Sequence, residues 1–218
     1  MSEPSGAPSG ESPRGRPRGR PPKLTPGVIV AAAIALLDRE GADALTMRRL
    51  GGELGVEAMS LYRHLPSRLA LLDAVADGLA AEIEPHDGSG DWADALRAFA
   101  GELRALARRH PAAFTLVGVR VLGTPGSLAP VEAALASLRR DGFTPARAIS
   151  AFRLVIAYAR GYALSELAGF AVEAPPQAPY PVVRSLARRL AGEPTEVSFR
   201  AGLETILGGL RAEREAAQ

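Results

Sequence analysis

The chain has 218 residues, 47% hydrophobic and 23% charged, enough apolar side chain for one large core or two smaller ones and too much for a disordered polymer. The formal net charge is only +2, yet between residues 14 and 68 ten Arg and Lys stand against five acids (Asp38, Glu40, Asp43, Glu53 and Glu57), so positive charge gathers where a nucleic acid could lie. The absence of cysteine excludes disulfides, thiolate metal sites and cysteine nucleophiles and agrees with a cytoplasmic location; no apolar signal core opens the chain, and its longest apolar run, residues 28–37, is too short to span a bilayer, so no membrane partner is expected.

Residues 1–23 are rich in Pro, Gly and Ser and are expected to be disordered when free. Arg14, Arg16, Arg18, Arg20 and Lys23 follow the last acid of this leader, Glu11, and the doubled R-G-R-P resembles the AT-hook core, an extended Arg-rich segment that lies in a narrow minor groove. These five residues are the candidate minor-groove arm; a solubilising tail is the open alternative, and either adds salt-dependent affinity for DNA.

The rest of the chain carries helical spacing throughout, with caps and breakers in place of strand alternation, so the fold class is all-α. Thr25 and Pro26 open a first helix with Val30, Ile34 and Leu37 on its inner stripe, stopping at Gly41. Thr46 caps a second, short helix in which Leu50 and Leu54 share a face, and Gly55 supplies the left-handed residue that a sharp turn needs. A third helix, predicted over 57–64, keeps Leu61 for the core and leaves Ala58, Met59, Ser60, Tyr62, Arg63 and His64 to face elsewhere; small residues in its first turn allow close approach to a major groove, and the hydroxyls, Arg and His beyond suit phosphate oxygens. Pro66 ends it, and Ser67 caps a fourth helix running toward Ile83. The spacing is that of a helix-turn-helix, a motif that also occurs as a plain αα-corner.

The run L-T-M-R-R-L-G-G-E-L-G-V-E-A-M-S-L-Y-R-H-L-P-S-R-L-A-L-L, residues 45–72, closely resembles the DNA-binding pattern of the tetracycline-repressor (TetR) family of bacterial regulators. The resemblance implies base-edge readers at Arg48, Ala58 and Met59 and phosphate contacts at Thr46, Ser60, Tyr62, His64 and Arg68, with Arg63 a further candidate. Many members carry polar residues where Ala58 and Met59 stand, so base readout here is expected to be largely apolar, for instance against thymine methyls.

The stretch at 85–91 is the clearest break, and three parts are expected: the leader (1–23), a helix-turn-helix domain with its linking helix (24–84), and a second helical domain (85–218). The second domain reads as helices near 92–109, 111–121, 127–141, 145–169, 181–191 and 196–214, with a proline-rich loop before the last two. Residues 139–166 are similar to the C-terminal domain of the tetracycline-repressor subgroup. The helix after Thr144-Pro145 is apolar on more than one face and needs a partner there; self-association is the economical answer, with the buried centre of a monomer as the alternative. The resemblance implies a homodimer built on the long and last helices, two recognition helices in successive major grooves, a palindromic operator, and release by a small molecule entering the second domain.

The pocket that this implies is bounded by the helices around 92–122 and 146–160, with Phe99, Leu103, Phe114, Val117, Arg120, Val121, Phe152 and Val155 as candidate lining residues. Tetracycline-binding members place a metal-ligating His before an L-G-T stretch; here Val121 precedes Leu122-Gly123-Thr124, so no metal and no cofactor is expected, and an apolar or weakly polar effector fits better, with Arg120 available to an acid group.

No enzyme is expected: His64, His86 and His110 lie far apart, metallohydrolase and serine-hydrolase motifs are missing, and Gly88 to Ala93 imitates a dinucleotide motif without a preceding strand. His110 is read as finishing a helix, and Asp38 and Glu40 as a solvated pair. The competing reading is an architectural protein that binds AT-rich DNA broadly without a ligand.

Overall fold

The computed structural model describes residues 24–118, 120, 122–169, 175, 177, 179–190 and 196–216. The arm candidates Arg14, Arg16, Arg18, Arg20 and Lys23 and the pocket candidate Val121 lie outside them. Among the described residues there are ten α-helices and no strand: α1 (Pro26–Glu40), α2 (Met47–Leu54), α3 (Ala58–Tyr62), α4 (Arg68–Ala80), α5 (Trp92–Arg109), α6 (Pro111–Val117), α7 (Pro125–Arg140), α8 (Pro145–Ala168), α9 (Pro181–Leu190) and α10 (Glu196–Glu215).

Side-chain caps begin most of these helices. Thr25, Thr46, Ser67, Asp91, Thr124 and Thr144 each accept a hydrogen bond from a backbone N–H in the first turn, and such a cap contributes about 1 kcal/mol. Several boundaries differ from the sequence expectation. The third helix is shorter than 57–64, because Glu57 only caps it and Arg63 and His64 already form the turn toward Pro66. The sixth stops at Val117 rather than 121, where Gly118 caps it pressed against Phe114, and the fourth ends at Ala80, leaving Ile83 buried beyond it.

The inner stripe of α1 is made by Ile29, Ala33, Ile34, Leu36 and Leu37, while Val30 is half-buried at the closest approach to α4. A Cβ on Gly78 would stand 2.5 Å from Val30 Cγ1, so Gly78 is what lets the two helices come together. α4 packs against α1 on one side and against α6 and α7 on another, which makes it the shared element between the head and the rest of the chain.

Asp38 and Glu40 are exposed, as expected of a solvated pair, but each also has side-chain partners that the sequence did not reveal. Asp38 Oδ2 lies 2.7 Å from His110 Nδ1, and Glu40 accepts hydrogen bonds from Arg49 Nε at 3.1 Å and from Arg39. His110 does close α5, and its Nε2 also lies 3.0 Å from Glu82, so one imidazole ties the end of α5 to α1 and to the segment after α4. Periodicity carries no trace of such contacts between distant residues.

Three arginines of α5 and α10 fasten these helices. Arg104, 3% exposed, donates from Nε to Glu166 on α8 at 2.7 Å and from Nη2 at 3.0 Å, bonds Glu196 on α10, and stacks over the Phe199 ring at 4.7 Å. Arg97 meets Glu204 of α10 through Nε (2.5 Å) and Nη2 (3.1 Å). Arg211 of α10 reaches back to Asp91 at 3.1 Å and lies over Trp92. On the opposite face of α8, Ser150, Leu154, Ala157, Gly161 and Ala168 are exposed at helical spacing, and Ala201, Thr205, Gly208 and Ala212 repeat the pattern on α10.

Candidate DNA interface and cavity

The angle between α2 and α3 rests on two glycines. Gly55 takes φ 68°, ψ 29°, the left-handed conformation that glycine adopts at little cost, and closes α2 through its N–H. Gly51 is buried beneath the start of α3: a Cβ there would stand 2.7 Å from the Val56 carbonyl oxygen and 3.3 Å from the Ala58 nitrogen. The Val56 N–H donates to the Gly51 carbonyl at 2.9 Å, so the turn is closed by its own backbone.

Leu61 is fully buried and anchors α3, which turns Met59 and Tyr62 outward. Met59 is 68% exposed, Tyr62, Arg63 and His64 are exposed, and Ser60 is half-exposed; Ala58 is half-buried against the α2 side. Thr46 and Ser67 are exposed, and while their oxygens cap α2 and α4, each hydroxyl proton remains free to donate. Arg48 at the start of α2 and Arg68 at the start of α4 are exposed beside them.

Ion pairing sorts the arginines of this region. Arg39 and Arg49 are tied up by Glu40 and Glu53, with Arg49 Nη1 at 3.2 Å and Arg39 Nη2 at 2.9 Å from Glu53. The hydrogen bond from Arg49 holds the Glu40 carboxyl below the ordinary carboxylate range and pushes the Arg49 guanidinium up. Arg48, Arg63 and Arg68 have no carboxylate partner among the described residues and keep their charge for an external anion.

The second feature is a cavity of about 470 Å³, its open mouth included, enclosed by α4, α5, α6, α7 and α8. Five of the sequence candidates, Phe99, Leu103, Phe114, Val117 and Arg120, stand on its wall. Phe152 and Val155 do not: α8 turns Ile156 and Arg160 to the cavity, so Val155 is fully buried and Phe152 packs edge-on against Phe99 at 5.2 Å. The wall also includes Ala76, Leu79 and Ala80 of α4 and Pro130 and Val131 of α7, which sequence reasoning missed because their apolar spacing fits ordinary core equally well.

Arg120 is not free for a ligand, because its Nε donates to Asp73 of α4 at 2.7 Å and Nη2 lies 2.6 Å from the same oxygen. Four residues on, Asp77 accepts from Ser127 Oγ at 2.5 Å and from the Gly123 N–H at 2.9 Å. Burial pushes the Asp77 carboxyl up, but the donors of Ser127, Gly123 and Thr124 outweigh it and hold the group below its ordinary range. Arg160 is the missed residue of most consequence, a charge inside an apolar helix four residues after Ile156. Among the described residues no group of three or more His, Cys, Asp or Glu could hold a metal ion, and no helix is long and apolar enough to cross a membrane.

A helix-turn-helix with unpaired arginines, set on a helical body that encloses an apolar cavity, is the architecture of a DNA-binding regulator. Residues 29–75 match the family model for bacterial regulatory proteins of the tetR family, and residues 84–214 match that for the tetracyclin repressor-like C-terminal domain. The chain belongs to the TetR family of helix-turn-helix transcriptional regulators. It is 38% identical over 148 residues to the HTH-type transcriptional repressor DrrR1 of Streptomyces coeruleorubidus, a match covering 67% of this chain and 55% of that protein. A regulator from Saccharopolyspora erythraea is 37% identical over 66% of this chain and 62% of its own length, so the match spans little more than half of these two relatives. The tetracycline repressor class G of Vibrio anguillarum is 31% identical over 205 residues, 89% of this chain and 97% of that one. Among solved structures, apo ActR of Streptomyces coelicolor superposes with a TM-score of 0.78 at 29% identity over 92% of this chain and all of that one, and ActR has also been solved with actinorhodin bound. These relatives are transcriptional regulators.

Proposed function

We propose that the chain is a dimeric repressor that grips a palindromic operator through residues 24–84 and releases it when a small molecule fills the cavity within residues 85–218. The observation that carries this reading is the double duty of α4. Its Ala76, Leu79 and Ala80 form cavity wall, while the same helix begins at Ser67 and Arg68 in the head and packs on α1. Asp73 and Asp77 tie α4 to Arg120, Gly123 and Ser127. A ligand that displaces Arg120 or Leu122 pushes on α4 and thereby on the spacing of two heads, which is an equilibrium shift and not a local event.

Dimerisation is supported by the small exposed residues of α8 and α10, which let two helix pairs approach closely, and by the exposed Leu154 between them. A two-fold dimer sets its recognition helices roughly 34–36 Å apart, one turn of DNA. In each head Arg48, Ala58 and Met59 read base edges, and Thr46, Ser60, Tyr62, Arg63, His64 and Arg68 hold phosphates.

These roles separate in salt titrations on a selected operator. Arg68→Ala is expected to weaken binding to every sequence and to flatten the dependence of log K on log salt by about one unit for each phosphate left without its cation, about two in a dimer. Arg48→Ala is expected to cost on the order of 1–3 kcal/mol per half-site and to relax preference at one base pair. An unchanged slope for Arg68→Ala, or uniform weakening for Arg48→Ala, would reject the respective role.

A further inference from the structure

We infer that the cavity holds a monoanionic hydrophobic acid, a carboxylate on an apolar body, whose charged end pairs with Arg160. The inference rests on the ligand-release reading above and names the chemical class of that ligand.

Arg160 lines the cavity from the middle of α8, and its Nε is buried with no hydrogen-bond partner. Arg214 shares that lack, but it stands on α10 and off the cavity wall. No carboxylate pairs with Arg160 among the described residues, in contrast to Arg97, Arg104, Arg108, Arg120 and Arg211, each of which has one. Burial alone pushes its guanidinium below the ordinary range, with no neighbouring charge to offset the cost. Arg160 is half-buried, and an unpaired guanidinium whose Nε is shut off from water carries a cost that an acceptor outside the chain would offset.

The remaining wall narrows the class. Phe99, Leu103, Leu106, Phe114, Val117 and Ile156 are apolar, so the bulk of the guest is hydrocarbon or aromatic. Arg120 is neutralised by Asp73 and Ser127 is engaged by Asp77, which leaves one uncompensated positive charge at the wall. One guanidinium fork matches one carboxylate in bidentate geometry, whereas a phosphate dianion would be left with an unmatched charge.

The test is isothermal titration of full-length protein with a size series of aryl acetic acids, from phenylacetic through 2-naphthylacetic to anthracenylacetic acid, each beside its neutral acetamide. At least one acid is expected to bind about 10-fold or more tightly than its amide. Arg160→Gln is expected to bring that pair within about 2-fold by weakening the acid alone, and Arg160→Lys to retain part of the preference. If no acid outbinds its amide on the wild type, or if the preference survives in Arg160→Gln, the inference is overturned; the wild-type comparison stands even where a variant misfolds. Operator release, followed in parallel by fluorescence anisotropy, keeps the two readings apart. An acid preference without release would overturn the release reading alone, and release by neutral compounds without an acid preference would overturn the acid site alone.

Discussion

Arg104→Ala is expected to destabilise the protein by about 3–5 kcal/mol, the size seen when one member of a buried ion pair is removed and the other is left behind. For a chain of this length that corresponds to a fall in Tm of roughly 6–20 °C. The cost is not the loss of an attraction so much as the stranding of Glu166, which is mostly buried and would keep only the exposed Arg108 at 2.5 Å. The Phe199 ring also loses the cation above it, and with it one fastening of α10. Because Arg104 touches α8 and α10 together, the proposed dimer of the variant should also dissociate at higher concentration than that of wild type. Replacing Arg104 by Met and Glu166 by Gln together should recover much of the loss, since no uncompensated charge then remains at the Glu166 position. A thermal melt of Arg104→Ala within about 2 °C of wild type would contradict this view of the cluster.

The same cluster makes stability fall in acid. Burial pushes the Glu166 carboxyl up, yet the hydrogen bonds and charges of Arg104 and Arg108 outweigh it and hold the group below the ordinary range. A depressed carboxylate contributes stability that is fully present above its unfolded value, about 4.3, and is lost as the pH falls through the folded value. Melts of wild type should therefore drop below about pH 4.5, and Glu166→Gln should flatten that drop.

The second large effect is on DNA. Gly51→Ala is expected to weaken operator binding about 10- to 100-fold while changing overall stability little. The new methyl would stand 2.7 Å from the Val56 carbonyl oxygen and 3.3 Å from the Ala58 nitrogen, both backbone atoms that cannot rotate away. Overpacking of this kind costs about 1–3 kcal/mol, partly offset by the roughly 1 kcal/mol that alanine gains over glycine in a helix. What is not offset is geometry: α3 must shift away from α2, and each base contact proposed for it is worth about 1–3 kcal/mol. Gly52→Ala is the control, because nothing lies within 4 Å of a Cβ there. It should stabilise by about 0.4–1 kcal/mol and leave operator affinity intact. Equal affinities for the two variants in a gel-shift titration would remove the packing argument for the turn.

Local signals carried most of the fold. Thr25-Pro26, Thr46, Gly55, Ser67 and Thr144-Pro145 stand where the structure starts or ends helices, because caps and left-handed residues are chosen by the adjacent backbone alone. The outward face of α3 was legible for the same reason once Leu61 was assigned to the core. The cavity was only partly legible. α8 is apolar around much of its circumference, so its period cannot say whether Val155 or Ile156 faces the cavity; packing against Phe99 decides it. The pairs Asp38–His110, Arg104–Glu166 and Arg120–Asp73 join residues far apart in the chain and leave no periodic mark. Arg160 left one: a lone charge within the apolar run of residues 154–164 marks either a partner or a ligand.

The most direct test of the central claim is selection of binding sites from a random duplex library by the full-length protein at near-physiological salt. An inverted repeat whose half-sites are centred about 10 base pairs apart, preferred about 10³-fold or more over random DNA, is the result that a dimeric operator-binding repressor predicts. Diffuse enrichment of AT-rich sequence without symmetry would contradict it and assign DNA binding to the basic leader.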